Sequence, residues 1–304
     1  MWGTYVTGGP LDGTMAPYRS VDENVGRHAQ IVHWYVPWGA SWGTFDYQRP
    51  LLDNMHEYAS VGEDGSVPLI TWEPWAPPFQ RDGTDMPLTA IAGGEFDPYI
   101  DSWAAGLRDL GYAVLLDFAH EMNGDWYPWG SGVNGNTPDQ YVAAYRHVHD
   151  RFAQAGAANV RFVWNPNNTS TSTSAAAFYP GSSYVSWLAI DAYNSNSSWG
   201  SPYNEIAPIY RQVSALDPYK PMMLAEVASQ ASPPPRAVPA NKAAWISELG
   251  RDLPQSFPRI RAVVWFNELG TELVIDAPSD VQAAATQAFG SCPRRDDAAA
   301  LSDT

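Results

Sequence analysis

The chain of 304 residues carries 17 lysines and arginines against 33 aspartates and glutamates, a formal net charge of −16 at pH 7. Nucleic acids and anionic membranes bind proteins through lysine and arginine, so this balance argues against both as partners. With 45% hydrophobic and 16% charged residues, the composition excludes a largely disordered chain and predicts a large packed core.

Eight short apolar runs, rich in β-branched and aromatic residues, recur along the chain as expected for strands buried on both faces. They are Trp2–Val6, Ile31–Val36, Val67–Trp72, Tyr112–Ala119, Val160–Trp164, Val185–Ile190, Pro221–Ala225 and Arg261–Phe266. Helical periodicity separates most of them. Thr137 to Gln140, for example, forms a capping box ahead of an amphipathic stretch. The stretches after the first and fifth runs lack a clear helical pattern.

Strands that alternate with helices eight times predict an α/β fold with a single (β/α)₈ TIM barrel. An open, doubly wound sheet is the alternative. We expect residues 1–292 to form the barrel and the polar residues 293–304 to form a disordered tail.

The single cysteine, Cys292, permits neither an internal disulfide nor a cysteine-based zinc site. No apolar run reaches the roughly 18 residues of a membrane span. The first residues show no basic segment followed by an apolar one, as a signal peptide would. We expect a secreted or extracellular protein whose signal peptide has been removed, with a cytoplasmic location as the alternative.

The active site of a barrel lies at the C-terminal ends of its strands, and here those ends carry carboxylates and aromatic residues but no lysine. Two carboxylates can hydrolyse a glycosidic bond, while aromatic faces stack on sugar rings. The candidate residues at the predicted strand ends are Trp72, Glu73, His120, Glu121, Trp126, Trp129, Asn165, Asp191, Tyr193, Glu226 and Trp265.

No metal and no cofactor is predicted. His120-Glu121 lacks the second histidine of a zinc-protease motif, because the position that would carry it is Gly124. A neutral polysaccharide is the substrate and partner that fits a strongly acidic chain with these residues, and we expect a monomer.

The segment His120–Trp129 resembles the acid/base segment of glycoside hydrolase family 26, and Leu224–Ala228 resembles its nucleophile segment. Similar matches, in the same order, are Thr71–Trp75, Ala92–Asp97, Tyr141–Val148 and Val264–Glu268. The resemblance covers most of the chain from Ile31 to Glu268. It implies a retaining endo-β-glycanase with the acid/base after the fourth strand and the nucleophile after the seventh. The strand count independently places Glu121 and Glu226 at those two positions.

We therefore predict that Glu121 is the general acid/base and Glu226 the nucleophile. Tyr193 is expected to donate a hydrogen bond to Glu226, and His120 to orient Glu121 or bind sugar. The remaining candidates are expected to bind sugar hydroxyls or to stack on sugar rings at the surface of the cleft; they are Trp72, Glu73, Trp126, Trp129, Asn165, Asp191 and Trp265.

The segments Trp126–Trp129 and Trp72–Trp75 resemble the lichenase branch of the family, so the predicted substrate is β-1,3-1,4-glucan. β-Mannanase and β-1,3-xylanase activities are the alternatives. The family usually has an arginine at the position of Asp117. An inward arginine would hold the nucleophile ionised, whereas an aspartate opposes that ionisation. A catalytically silent, carbohydrate-binding barrel is therefore an alternative of a different class.

Overall fold

The structure is a computed structural model that describes residues 1–9, 14–59, 66–75, 88–169, 171 and 173–290. For residues 56–59 it describes the backbone and not the side chains. Eight parallel strands close into one barrel in chain order, β1 to β8, with β8 paired to β1. This closure confirms the predicted (β/α)₈ barrel and excludes the open sheet. The predicted disordered tail, 293–304, and Cys292 lie outside the described residues.

The strands agree with the predicted apolar runs to within a few residues. They are β1 (Trp2–Val6), β2 (Ile31–Pro37), β3 (Val67–Glu73), β4 (Val114–Phe118), β5 (Val160–Trp164), β6 (Trp187–Asn194), β7 (Met222–Ser229) and β8 (Ile260–Asn267).

Helices surround the barrel, as the alternation predicted. They are α1 (Ala16–Val25), α2 (Phe45–Ala59), α3 (Leu88–Ala92), α4 (Asp97–Leu110), α5 (Pro138–Gln154), α6 (Pro202–Ser214), α7 (Lys242–Ser256) and α8 (Ser279–Ala285). The predicted capping box is present at the start of α5, where the side chains of Thr137 and Gln140 each accept the other's backbone N–H. In the described part of the chain, no helix is both long and apolar enough to cross a membrane.

The two poorly patterned stretches have different outcomes. A helix, α1, follows β1. It is capped by Gly26, whose backbone N–H donates a hydrogen bond to the carbonyl of Asp22. Between β5 and β6 the described residues form only two short 3₁₀ turns, Ala175–Phe178 and Ser182–Tyr184. The missing helical pattern after the fifth strand therefore corresponds to a real irregularity of the barrel.

Side chains alternate between the barrel interior and the ring of helices, because successive residues of a strand point to opposite faces. Leu69, Leu115 and Val163 belong to the small apolar cluster formed by the strands alone. Two residues further along the same strands, Thr71 and Asp117 continue the inward rows. The barrel interior is therefore apolar towards the N-terminal ends of the strands and polar towards their C-terminal ends.

Candidate active site

A cavity of about 370 Å³ lies at the C-terminal ends of the strands. Three glutamates line it, Glu73 from β3, Glu226 from β7 and Glu121 from the turn after β4. The other lining side chains are aromatic rings and one asparagine, Asn167; among the described residues no lysine or arginine lines the cavity. This combination offers acidic groups and flat apolar surface to one ligand.

Glu121 is held by an unusual backbone and by two side-chain donors. Its φ angle of 53° lies in the left-handed region, which non-glycine residues rarely adopt and which clusters at functional sites. Its N–H donates to the carbonyl of Asn165 at 2.7 Å. Its carboxylate accepts hydrogen bonds from the Asn167 amide and from the Trp126 indole, the latter at 2.5 Å.

Burial raises the pKa of Glu121, while hydrogen bonds from Asn167, Trp126 and Asp191 act against that rise. The carboxyl group is therefore biased towards its protonated form without being fixed in it. A group with this balance can give up a proton and later accept one.

Glu226 lies on β7, where the pairing with β6 and with β8 shifts register. Such irregularities redirect side chains at the rims of barrels. Both carboxylate oxygens accept a hydroxyl hydrogen bond, Oε1 from Tyr35 and Oε2 from Tyr193. Burial and the nearby Glu121 raise the pKa of Glu226, and the two tyrosine donors lower it. The predicted bond from Tyr193 is confirmed.

Glu73 is the third carboxyl group of the cavity. Burial, with the charges of Glu226 and Glu121 adding to it, raises the pKa of Glu73 to about 8, although the neighbouring Trp75 indole opposes the shift. Below that pH the group is a neutral acid, which can both donate and accept a hydrogen bond.

His120, Asn165 and Asp191 lie beneath the cavity and do not line it. Burial and the nearby His33 lower the pKa of His120 to about 3, so its ring is neutral at working pH. Neither ring nitrogen has a hydrogen-bond partner among the described residues. His120 therefore does not orient Glu121 through a hydrogen bond, and the alternative that it binds sugar stays a prediction.

Three tryptophans expected at the surface of the cleft are instead buried in the core. Trp72 is 0% exposed and packs against Trp38 and Trp103, outside the barrel wall. Trp265 is also 0% exposed and packs against Trp245 of α7. Strand alternation explains both errors, because their neighbours Glu73 and Phe266 take the inward positions.

Trp129, the third of these tryptophans, is 2% exposed and lies beneath Tyr127, with ring centroids 4.6 Å apart and planes at 8°. Its indole N–H donates to the carbonyl of His120 at 2.7 Å. Of these two rings, Tyr127 is the one that lines the cavity, and Trp129 packs against its far face. Trp126, by contrast, is partly exposed and donates to Glu121, although it does not line the cavity; its contact with sugar stays a prediction.

Four cavity residues were not predicted from the sequence, namely Tyr35, Tyr127, Asn167 and Phe266. For Tyr35 and Phe266 a signal was available, because counting alternate residues along β2 and β8 places both on the inward face. Phe266 stacks on Tyr5 with centroids 4.5 Å apart. Tyr127 and Asn167 lie in loops, where no such period exists.

One set of side chains in the described part of the chain could hold a metal ion. Ligand atoms of His120, Asp191 and Glu226 lie within 4.8 Å of one another. Both oxygens of Glu226 already accept tyrosine hydroxyls, whereas the two ring nitrogens of His120 and Oδ1 of Asp191 have no hydrogen-bond partner among the described residues.

A family model described as glycosyl hydrolase family 26 matches residues 92–249, just over half of the chain. The chain belongs to glycosyl hydrolase family 26. The matched range contains Glu121 and Glu226 together with the strands β4 to β7 that position them.

Two curated relatives carry names of polysaccharide hydrolases. "Endoglucanase H" of Acetivibrio thermocellus is 35% identical over 283 residues, which are 90% of this chain and 29% of the relative. A "Mannan endo-1,4-beta-mannosidase" of Bacillus subtilis is 26% identical over 191 residues, 56% of this chain and 49% of the relative. The chain thus spans less than half the length of either protein.

The fold also has solved counterparts. The catalytic domain of the Bacillus sp. JAMB-750 GH26 endo-beta-1,4-mannanase superposes with a TM-score of 0.71 at 17% identity, over 96% of this chain and 85% of that one. At this identity the similarity supports the barrel fold alone.

Proposed function

We propose that this chain is an endo-β-glycanase that hydrolyses β-1,3-1,4-glucan, with Glu121 as general acid/base and Glu226 as nucleophile. The roles follow from the resemblance of the two segments, and one observation carries the choice of this pair. Both carboxylates line the same cavity, and each of their four oxygens accepts a hydrogen bond from a neighbouring side chain.

In the first step, an oxygen of Glu226 attacks the anomeric carbon while Glu121 gives its proton to the departing glycosidic oxygen. The carbon–oxygen bond of the substrate breaks and a glycosyl ester of Glu226 forms. The hydroxyls of Tyr35 and Tyr193 favour the ionised form of Glu226 that this attack needs.

In the second step, the Glu121 carboxylate takes a proton from water, and the resulting hydroxide adds to the same carbon as the ester bond to Glu226 breaks. Glu121 regains its proton and Glu226 its charge. Burial, which raises the pKa of Glu121, supports both proton transfers.

The lining supports a neutral glycan as substrate. Tyr127 and Phe266 offer aromatic faces on which sugar rings can stack. Glu73, with its pKa of about 8, can exchange hydrogen bonds with a sugar hydroxyl in either direction. The lining has no positive side chain among the described residues, so a phosphorylated or acidic sugar would find no counter-charge.

Two comparisons bear on the choice of glycan. The relative named endoglucanase matches 90% of this chain at 35% identity, whereas the mannosidase of Bacillus subtilis matches 56% at 26%. This difference favours a β-glucan. β-Mannan is the second candidate, because the relative that is 26% identical over 56% of this chain is named a mannan endo-1,4-beta-mannosidase.

A panel of polysaccharides tests the proposal. The protein is incubated with β-1,3-1,4-glucan, cellulose, β-1,4-mannan and β-1,3-xylan, and the products are separated by chain length. Short oligosaccharides released fastest from β-1,3-1,4-glucan support the proposal, and faster release from mannan overturns the glucan assignment. Glu226→Gln, which keeps the shape of the side chain, is the control for contaminating activity. Binding without products from any glycan would favour the silent barrel.

A further inference from the structure

Asp117 is a buried acid for which the described structure supplies a single side-chain partner. It lies on the inward face of β4, is 0% exposed, and accepts a hydrogen bond at Oδ2 from the Asn165 amide at 2.8 Å. Its Oδ1 has no hydrogen-bond partner, and no ion pair involves it among the described residues. The geometry of this carboxyl group is therefore tied to Asn165.

Asn165 connects Asp117 to the candidate catalytic pair. The same amide nitrogen also donates to Oδ2 of Asp191, at 2.9 Å, so its two hydrogens serve two carboxyl groups. The backbone carbonyl of Asn165 accepts the N–H of Glu121 at 2.7 Å. One residue thus fixes both the side chain of Asp191 and the backbone of Glu121.

Asp191 is placed to influence both glutamates. It is paired directly with Glu226 across β6 and β7, and carboxylate oxygens of the two residues lie within 4.8 Å. Its interaction with Glu121 is also one of those that lower the pKa of that group. A small rotation of the Asp191 carboxyl group would change the environment of both members of the pair.

We propose that Asp117 is a positioning residue, which fixes the amide of Asn165 so that Asp191 is held between Glu121 and Glu226. This inference rests on the proposed roles of Glu121 and Glu226. Asp117 itself lies outside the lining of the cavity.

The charge state of Asp117 follows from its surroundings. Burial raises the pKa of Asp117 well above its usual value, and the charges of Glu226, Glu121 and Glu73 raise it further. The group is therefore biased towards its neutral acid form, which still offers Asn165 an acceptor oxygen. Asparagine has nearly the same shape and the same acceptor, so it can replace a neutral Asp117 but not a charged one.

Three variants test the proposal by steady-state kinetics across pH. Asp117→Asn is expected to keep kcat within about twofold of the wild type, with the same pH profile. Asp117→Ala leaves one Asn165 hydrogen without a partner, and should lower kcat about tenfold, as for loss of one buried hydrogen bond, with KM little changed. Its pH profile should also shift, because Asp191 no longer holds its place. If Asp117 had a purely structural role, its replacement would not shift the pH profile, and it would not lower kcat while KM stayed the same.

Asn165→Ala supplies a double-mutant cycle. If Asp117 acts only through Asn165, the variant with both alanines should be no slower than Asn165→Ala alone. Leu115→Ala is the matched control, since it lies two residues earlier on the same inward face of β4 and is equally buried. It should lower the melting temperature and leave the pH profile unchanged. If Asp117→Ala does not fold, Asp117→Ser takes its place in the cycle.

The outcomes separate this proposal from the proposed function. The positioning role of Asp117 is overturned if Asp117→Ala folds and keeps the kcat and pH profile of the wild type. It is also overturned if Asp117→Asn is as slow as Asp117→Ala, or if the effects of Asp117→Ala and Asn165→Ala are fully additive. Failure of the roles of the glutamates has another signature, namely a Glu226→Ala variant that hydrolyses the polysaccharide as fast as the wild type.

Discussion

The hydroxyl of Tyr35 donates a hydrogen bond to Glu226, a residue 191 positions later in the chain. The two residues lie on β2 and β7, which are not neighbours in the barrel, so the contact crosses the interior and exists only because the sheet closes. With Tyr193 from β6 on the other oxygen, the charge of Glu226 is supported from two separate strands.

Tyr35→Phe removes one of these two donors while keeping the ring. A hydrogen bond to a charged group contributes about 1.5–3 kcal/mol, so kcat/KM should fall about 10- to 100-fold. The donor lowers the pKa of Glu226, and its loss raises that pKa, so the acidic limb of the kcat/KM profile should move to higher pH. Rates measured across pH check both effects.

Tyr145→Phe is the matched control for this substitution. Its hydroxyl is buried and donates to the carbonyl of Val163 at 2.9 Å, on the outer side of the barrel. It should lower the melting temperature and leave the acidic limb in place. An unchanged acidic limb in Tyr35→Phe would show that Tyr35 does not influence the ionisation of Glu226.

Trp126→Phe acts on the other glutamate. The indole N–H lowers the pKa of Glu121, so its removal should raise that pKa and move the basic limb of kcat/KM upward, by up to about one pH unit. Trp164→Phe, which loses a buried indole bond to the carbonyl of Phe178 at 3.2 Å, controls for the change of ring. If the basic limb stays fixed or moves to lower pH, the Trp126 indole does not lower the pKa of Glu121.

The barrel and the two glutamates could be predicted because both depend on short local patterns. Apolar runs indicate the strands, and the resemblance of contiguous segments indicates the glutamates. The side chains around the two glutamates are harder to predict. Trp72 and Trp265 are expected in the cleft from their residue type, without regard to whether they point into the barrel or away from it. In the structure, Glu73 and Phe266 take the inward positions. The Asp117–Asn165–Asp191 contacts could not be foreseen, because they join three strands whose register only the closed sheet defines.

Trp129→Ala tests the corrected position of that ring. A fully buried aromatic side chain replaced by alanine typically costs about 3–5 kcal/mol of the free energy of unfolding. Because Trp129 supports Tyr127 from below, turnover should fall as well. Urea unfolding checks the first effect. A variant as stable as the wild type would show that Trp129 lies at the surface, as the sequence suggested.

Glu73→Gln should change how stability depends on pH. The native state keeps the Glu73 proton up to about pH 8, whereas the unfolded chain releases it near 4.5, the usual pKa. Between these values the unfolded state binds fewer protons, so this group makes the free energy of unfolding fall as pH rises. Urea unfolding from about pH 5 to 8 should therefore show a shallower decline in Glu73→Gln.

The control for that series is Glu23→Gln, which changes an exposed carboxylate on α1. Its decline with pH should match that of the wild type. Equal slopes for Glu73→Gln and the wild type would mean that Glu73 is ionised in the native protein at neutral pH.

Chemical rescue by azide tests the roles of Glu121 and Glu226 most directly, because it reports which face of the sugar each occupies. In Glu226→Ala, azide should take the place of the missing nucleophile and give a glycosyl azide of inverted configuration. In Glu121→Ala, an activated aryl glycoside should still form the ester with Glu226, since its leaving group needs little protonation, and azide should then give the retained configuration. Exchanged configurations would show that the two roles are reversed, and undiminished activity on polysaccharide in both variants would show that the pair is wrong.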